Sequence, residues 1–323
     1  MELEERILSP TFRMTGMFCF SFFREMAPAL HLAISDDLLA WNEITDEEPV
    51  LESNVGNLYW RDPFVIQAMD GTFHLLCTDG WSSPNIVHAC SKDLLTWSPQ
   101  GVIPVMKDFL DARNAWAPEA CYDRQLKDYV IFWSSTVPSA FALPEDKPRD
   151  YLNHRIYACR TRDFRTYSRT RLFFDPGYNC IDASINFNNG KYLMAFKDER
   201  GDNPSFPGEL ARKHVLVACS EALAGPWSIV PDPVSRSSYD DDHANDVKTW
   251  AEGPCVFWDT RSREWWIFYE YFRSHRYGAV HSKDGVHWTN VDDKLSFPPG
   301  VKHGTVFEVM DADVIKKLKN HKK

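Results

Sequence analysis

Apolar positions along the chain fall into short runs separated by turns bearing Gly, Asp, Asn or Pro, the pattern of strands and hairpins and not the 3.6-residue period of helices. One phrase returns five times: a short apolar strand, Ser or Arg, a few turn residues, then an aromatic. The copies are LHLAISDDLLAW ending at Trp41, IVHACSKDLLTW ending at Trp97, RIYACRTRDFRTY ending at Tyr167, VLVACSEALAGPW ending at Trp227 and YGAVHSKDGVHW ending at Trp288. The closing aromatics are 56, 70, 60 and 61 residues apart. Five periods of about 62 residues nearly exhaust the chain, a spacing that suits blades of four short strands. Before Ser35, Ser91, Arg160, Ser220 and Ser282 stand Ile34, Cys90, Cys159, Cys219 and His281, so these three thiols read as small core residues in one repeated place.

A second unit precedes the copies: a strand, a polar turn and a strongly aromatic strand, which is a hairpin by its turn chemistry. Four instances are complete, starting at Arg61, Trp116, Ile181 and Ala251. The fifth is divided between His303–Val309, which resembles the first strand of a unit, and Met17–Phe23, which resembles the second. Pairing of those two segments closes a ring and leaves no open sheet edge. The prediction is an all-β chain forming one five-bladed β-propeller over residues 1–323, closed by its N- and C-terminal strands, with a short helix at Val314–Leu318 in a tail that begins near residue 311.

Length alone allows two domains in 323 residues, and the repeat decides for one. A formal net charge of −10 argues against a nucleic-acid partner, and the basic Lys316–Lys323 stretch reads as a solvated helix end. No apolar run reaches the ~18 residues of a membrane-spanning helix, so no membrane partner is expected. Met1–Arg6 is rich in Glu and lacks the basic start and apolar core of a secretory signal. A cytoplasmic location is therefore expected of the sequence as it stands, and a periplasmic or secreted one if a signal has been removed. Eight Cys occur without close metal-type spacing, and oligomeric state is left open.

In a propeller the first strand of every blade lines the central channel. The starts of these strands offer Asp62, Trp116, Glu119, Asp182, Glu252 and His303. Any one of the acids alone is ordinary turn punctuation. Asp62, Asp182 and Glu252, however, fall in register on three different blades. Crowded carboxylates push their pKa values apart, as an acid and base pair for glycoside hydrolysis requires. Glu119 lies further along its strand and stays outside the catalytic set. Trp60 and Trp116, beside strand starts, are candidates for stacking on a sugar, and Arg61, Lys197 and Arg273 for binding its hydroxyls. Trp97, Trp227, Trp288, Trp265 and Trp266 are expected to pack between blades.

The motifs RDPF, WAPEA, CIDAS, AEGP and KHGTV, in blade order, resemble the inner-strand set of glycoside hydrolase family 43, over nearly the whole chain. The resemblance implies Asp62 as general base, Glu252 as general acid and Asp182 as the residue that orients the acid and raises its pKa. It implies inversion, with base and acid about 6.5–9.5 Å apart. It also implies a calcium or sodium ion in the channel near His303, structural and not a required cofactor, although a core or turn histidine explains His303 equally well. Two departures stand out: Pro118-Glu119 where many relatives have Pro-Asp, and Asp182-Ala183 in place of Asp-Pro. Neither removes an acid from the trio.

The function expected is exo-acting removal of terminal pentose units from plant-type oligo- or polysaccharides, first as an α-L-arabinofuranosidase. A β-xylosidase or β-galactofuranosidase acting by the same mechanism, or a non-catalytic glycan-binding propeller, is the alternative. A fructan hydrolase or a phosphorylase is a third class, and no dense basic cluster near the inner strands favours the latter. Exo action rests on the long loops Pro138–Asn153 and Asp202–Lys213, expected to wall off a pocket.

Overall fold

The computed structural model describes residues 16–141, 152–201, 212–235 and 247–321. Their strands form five four-stranded antiparallel sheets. The second blade comprises β4 (Trp60–Gln67), β5 (Phe73–Asp79), β6 (Ile86–Ser91) and β7 (Gly101–Ile103). The third holds β8 (Trp116–Asp123), β9 (Asp128–Thr136), β10 (His154–Thr161) and β11 (Arg171–Phe174). In the fourth are β12 (Cys180–Asn188), β13 (Lys191–Asp198), β14 (His214–Ser220) and β15 (Ser228–Val230), and in the fifth β16 (Ala251–Asp259), β17 (Glu264–Tyr271), β18 (Arg276–Ser282) and β19 (Thr289–Asn290).

The first blade is the divided one. Its inner strand β20 (Lys302–Val309) pairs antiparallel with β1 (Met17–Arg24), from Met17 opposite Val309 to Ser21 opposite Thr305, and β2 (Ala27–Ser35) and β3 (Asn42–Glu43) complete it. The five inner strands β20, β4, β8, β12 and β16 each adjoin the next, and β16 returns to β20. The ring is a five-bladed propeller closed by strands from its two ends, as the repeat predicts. Helix α1 (Ala312–Lys319) follows, capped by the Asp311 carboxylate, which accepts from the backbone N–H groups of Asp313 and Val314. Its Val314 and Leu318 are buried in the seam of the first two blades, and Lys317 in its basic last turn reaches Asp93 at 2.8 Å. Among the described residues no helix is long and apolar enough to cross a membrane.

Alternation gives each sheet two apolar faces, and every seam between blades is a separate core. Between the fifth and first blades, for example, Phe18, Phe20, Trp41 and Phe268 are buried together. Each such side chain contributes roughly 1.5–3 kcal/mol through burial. The closing phrase proves to be a turn stitched by side chains. The Oγ of Ser35, Ser91, Thr161 and Ser282 accepts the backbone N–H three residues on, at 2.8–3.0 Å. The Asp two residues after each of these accepts another N–H three residues beyond itself, at 2.8–2.9 Å. Trp41 and Trp97 then donate their indole N–H back to Leu38 and Leu94.

Strand register corrects one alignment. Thr161 stands opposite Tyr129 as Ser91 stands opposite Phe73, so Thr161, and not Arg160, is the closing hydroxyl of the third blade. The place shared by Cys90 and Cys219 is therefore held there by Arg160, which pairs with Asp123 and, at 3.0 Å, with Asp128. Cys159 lies one residue earlier, buried in the seam of the second and third blades. All eight cysteines are free thiols.

Candidate active site

Each inner strand loses register with its partner strand near its start, between Arg61 and Phe64, Trp116 and Glu119, Ile181 and Ser184, and Glu252 and Cys255. In the first blade β20 shows the same break at residues 303 and 304, opposite Phe22 of β1. These are β-bulges, which re-aim a side chain out of the ordinary alternation. The first bulge residue on the five blades is Asp62, Ala117, Asp182, Gly253 and His303. Four of them have positive φ: Asp62 at 52°, Ala117 at 47°, Asp182 at 56° and Gly253 at 56°. Three non-glycine residues in the left-handed region, at equivalent places, mark backbone strain concentrated where the channel begins.

Asp62 and His303 meet there, with Nδ1 3.3 Å from Oδ1. The other oxygen of Asp62 accepts from Thr78 Oγ1 at 2.6 Å, and Thr78 in turn accepts the Ala117 N–H at 2.8 Å. Burial alone would raise the Asp62 carboxyl, but the hydrogen bond and charge of His303, with Arg61 and Thr78, hold it below the usual carboxylate range. For His303, burial works against the charged ring, yet Asp62, Asp182 and Glu119 raise it to about 9, making it an imidazolium at neutral pH. Gly253 is required beside it: a Cβ there would lie 2.7 Å from His303 Cγ.

Asp182 accepts the Gly253 N–H at 3.1 Å, while its own N–H is given to Ser134 Oγ at 2.9 Å. It thus grips the residue next to Glu252. Burial raises its carboxyl to about 6, opposed by His303 and supported by the charges of Glu252 and Asp62. Glu252 itself precedes its bulge, with Oε2 2.8 Å from Lys197 Nζ. Lys197 is buried and also pairs with Glu199 at 2.7 Å, which Lys213 holds from the other side at 2.6 Å. Burial lowers the Lys197 ammonium but Glu199, Glu252 and Asp182 raise it well above its ordinary value. Among the described residues no hydrogen bond reaches Glu252 Oε1, and the side chain is 26% exposed, which leaves that oxygen for a ligand. Glu119, one step deeper, is raised by burial to about 8 and stays protonated.

The structure therefore brings Asp62, Asp182, Glu252, His303 and Lys197 into one electrostatic neighbourhood. Arg61 and Trp116 stand beside it, and a residue without a repeat signature joins them. Trp81, 53% exposed, lies under the Arg61 guanidinium at 4.3 Å and edge-on to Trp116 at 5.3 Å, and its carbonyl accepts the Trp116 indole N–H. Glu25 fixes Arg61 at 3.0 Å. Arg273 is exposed, 5.4 Å from the Phe272 ring that also faces Lys197. Trp60 is a correction: only 1% exposed, it is buried among Leu75, Cys77 and Leu30, so its ring cannot stack on a sugar. Alternation along β4 sends it into the seam while Arg61 faces the mouth.

The His303 imidazole is engaged with Asp62, and among the described residues no three or more His, Cys, Asp or Glu side chains are grouped to hold an ion. The loops expected to wall the pocket lie largely outside the described residues, at 142–151 and 202–211.

The chain is 27% identical over 187 residues to an α-L-arabinofuranosidase of Bifidobacterium longum subsp. longum, a match covering 51% of this chain and 18% of that protein, so the chain spans under a fifth of that relative's length. Among solved structures, the α-L-arabinanase of Cellvibrio cellulosa complexed with arabinohexaose has a TM-score of 0.56 at 11% identity, covering 88% of this chain and 94% of that one. The family 43 enzyme of Xanthomonas citri complexed with xylose has a TM-score of 0.52 at 15% identity, with 74% of each chain covered. At these identities the two structures speak for the fold. A family model described as a probable glycosyl hydrolase domain matches residues 15–314, which takes in all five blades and the three channel acids, and the chain belongs to this family, the glycosyl hydrolases related to family 43.

Proposed function

We propose that the chain is an exo-acting, inverting glycoside hydrolase that removes terminal pentose units from oligo- or polysaccharides, in the first instance an α-L-arabinofuranosidase. The observation that carries the reading is the pairing of Asp62 with His303, whose ring lies against Gly253, the residue next to Glu252 that Asp182 grips. It provides one carboxylate held ionised and a second with a free oxygen. The arabinofuranosidase relative and the arabinohexaose and xylose of the two structures support a pentose as the glycone.

In this mechanism Asp62 accepts a proton from a water as its oxygen attacks the anomeric carbon. Glu252 gives a proton to the glycosidic oxygen as the bond between that oxygen and the anomeric carbon breaks, and the sugar leaves with inverted configuration. Asp182 holds the Gly253 backbone and through it the acid. Lys197 fixes Oε2 of Glu252 and leaves Oε1 toward the leaving group. Trp81 and Trp116 form the platform on which the departing portion of the substrate rests.

The test is release of nitrophenol from α-L-arabinofuranoside, β-D-xyloside and β-D-galactofuranoside, run beside Asp62→Asn and Glu252→Gln. Turnover of one sugar that depends on Asp62 establishes the enzyme and names its glycone; preference for the xyloside or galactofuranoside replaces the first choice by a sister activity. Silence across the panel with sugar binding retained would instead favour a binding propeller.

A further inference from the structure

The seam of the second and third blades differs from the other four at the end of the disc remote from the channel acids. The residue after the first aromatic of each blade's second strand is Cys19, His74, Val130, Leu193 or Trp266, and the third-strand residue three before the closing hydroxyl is Leu32, His88, Ala158, Val217 or Ala279. Only the second blade places an imidazole at either position, and it does so at both. His74 Nδ1 lies 2.9 Å from His88 Nε2, and the His74 ring is stacked on Phe164 at 3.8 Å and 12°. Two neutral imidazoles carry one N–H each. Whichever ring donates within the pair, one N–H, on His74 Nε2 or His88 Nδ1, remains outside it.

These rings line a cleft of about 420 Å³ whose rim carries Lys92, Lys127, Arg162 and Arg165. None of the four is in an ion pair among the described residues; Lys92 only donates to Thr72 Oγ1 at 2.7 Å and, weakly, to the Asp70 carbonyl. The two carboxylates present are committed to the backbone. Asp163 accepts the N–H groups of Arg165 and Thr166, and Asp70 that of Thr72. Four unpaired cations around one cleft reverse the local field of a protein whose net charge is −10.

We propose that this cleft is a second binding site, separate from the channel, for a small anionic sugar bearing a carboxylate or a phosphate. The volume accommodates a monosaccharide-sized ligand. Two guanidinium groups offer forked donors that match oxyanions, the lysines add charge, and Tyr122 and Met69 give the sugar's CH face an apolar wall. The site does not depend on the reaction assigned to the channel.

Calorimetric titration of the full chain with glucuronate, glucose 6-phosphate and glucose tests the proposal, with Lys92→Glu/Arg162→Glu as the variant. One or both anions bind and glucose does not; the variant binds at least tenfold more weakly and turns over aryl glycosides as the parent does. The anion that binds identifies the source, an acidic glycan or a phosphorylated sugar. Absence of binding by both anions, glucose binding as tightly as they do, or binding unaffected by the charge reversal would overturn it. If the double variant fails to fold, Arg162→Gln gives a smaller loss that added salt also produces.

Discussion

The closing turns and the inner bulges are both repeated around the ring, yet they use repetition in opposite ways. Four of the five closing turns carry the same Ser/Thr and Asp and make the same hydrogen bonds. The bulges share a register shift but present Asp62, Ala117, Asp182, Gly253 and His303, four residue types at five equivalent places. Where a repeat keeps its chemistry it is holding the scaffold; where it keeps only its geometry it is distributing tasks. The fourth-blade turn, with Ala222 in the Asp place, shows that the scaffold tolerates one missing stitch.

Breaking the bulge set at its most specialised member should have the largest effect. Asp62→Asn is expected to cut turnover by roughly 10³-fold or more while circular dichroism and melting stay near those of the parent; wild-type rates would end its assignment as base. Glu252→Gln should be comparably severe on natural linkages and milder on an activated aryl glycoside, whose leaving group needs no proton. Next comes Asp182→Asn, expected to lower the rate and move the acidic limb of the pH profile, because a carboxyl that titrates at about 6 no longer contributes. A profile unchanged in shape would reduce Asp182 to a structural tie. Gly253→Ala would place a Cβ against the His303 ring at a φ of 56°. It should both lower the melting temperature and cost activity, and loss of stability alone would separate His303 from the function of Asp62.

Two smaller effects sharpen the contrast. Glu119 and His303 hold protons in the folded protein to about pH 8 and about pH 9, above the values of about 4.3 and 6.5 in an unfolded chain. The folded state therefore binds more protons than the unfolded one, and stability falls as pH rises through this window. Scanning calorimetry between pH 6 and 9 should show that decline, with a shallower slope in Glu119→Gln, which mimics the protonated acid; identical slopes would exclude Glu119 as a source. Asp37→Ala, which removes the acceptor of the Leu39 and Ala40 N–H groups in one closing turn, should cost about 1 kcal/mol and leave kcat/KM unchanged.

Much of this contrast can be read in the linear chain. A period of turns and aromatics is visible because the closing turn repeats its residues, and it yields the blade count, the divided first blade and the register of the channel acids. The limits are equally physical. A single extra step, Arg160 before Thr161, slips an alignment based on residue resemblance, and only cross-strand pairing shows which residue closes the turn. Trp60 and Trp81 are indistinguishable by composition, but alternation buries one in a seam while the other follows Gly80 in a turn, where no periodicity directs it. Lys197 is near Glu252 through the packing of neighbouring blades, a relation with no local signal in sequence.

The strand that closes the ring also has a temporal meaning. Translation delivers Asp62, Asp182 and Glu252 early, on β4, β12 and β16, whereas β20, which seals the first blade and brings His303 against Asp62, emerges last. A nascent chain still lacking that strand has its acids but neither a closed ring nor the His303 ring beside Asp62. The ring thus closes only once β20 has emerged, and until then β1 keeps an open edge.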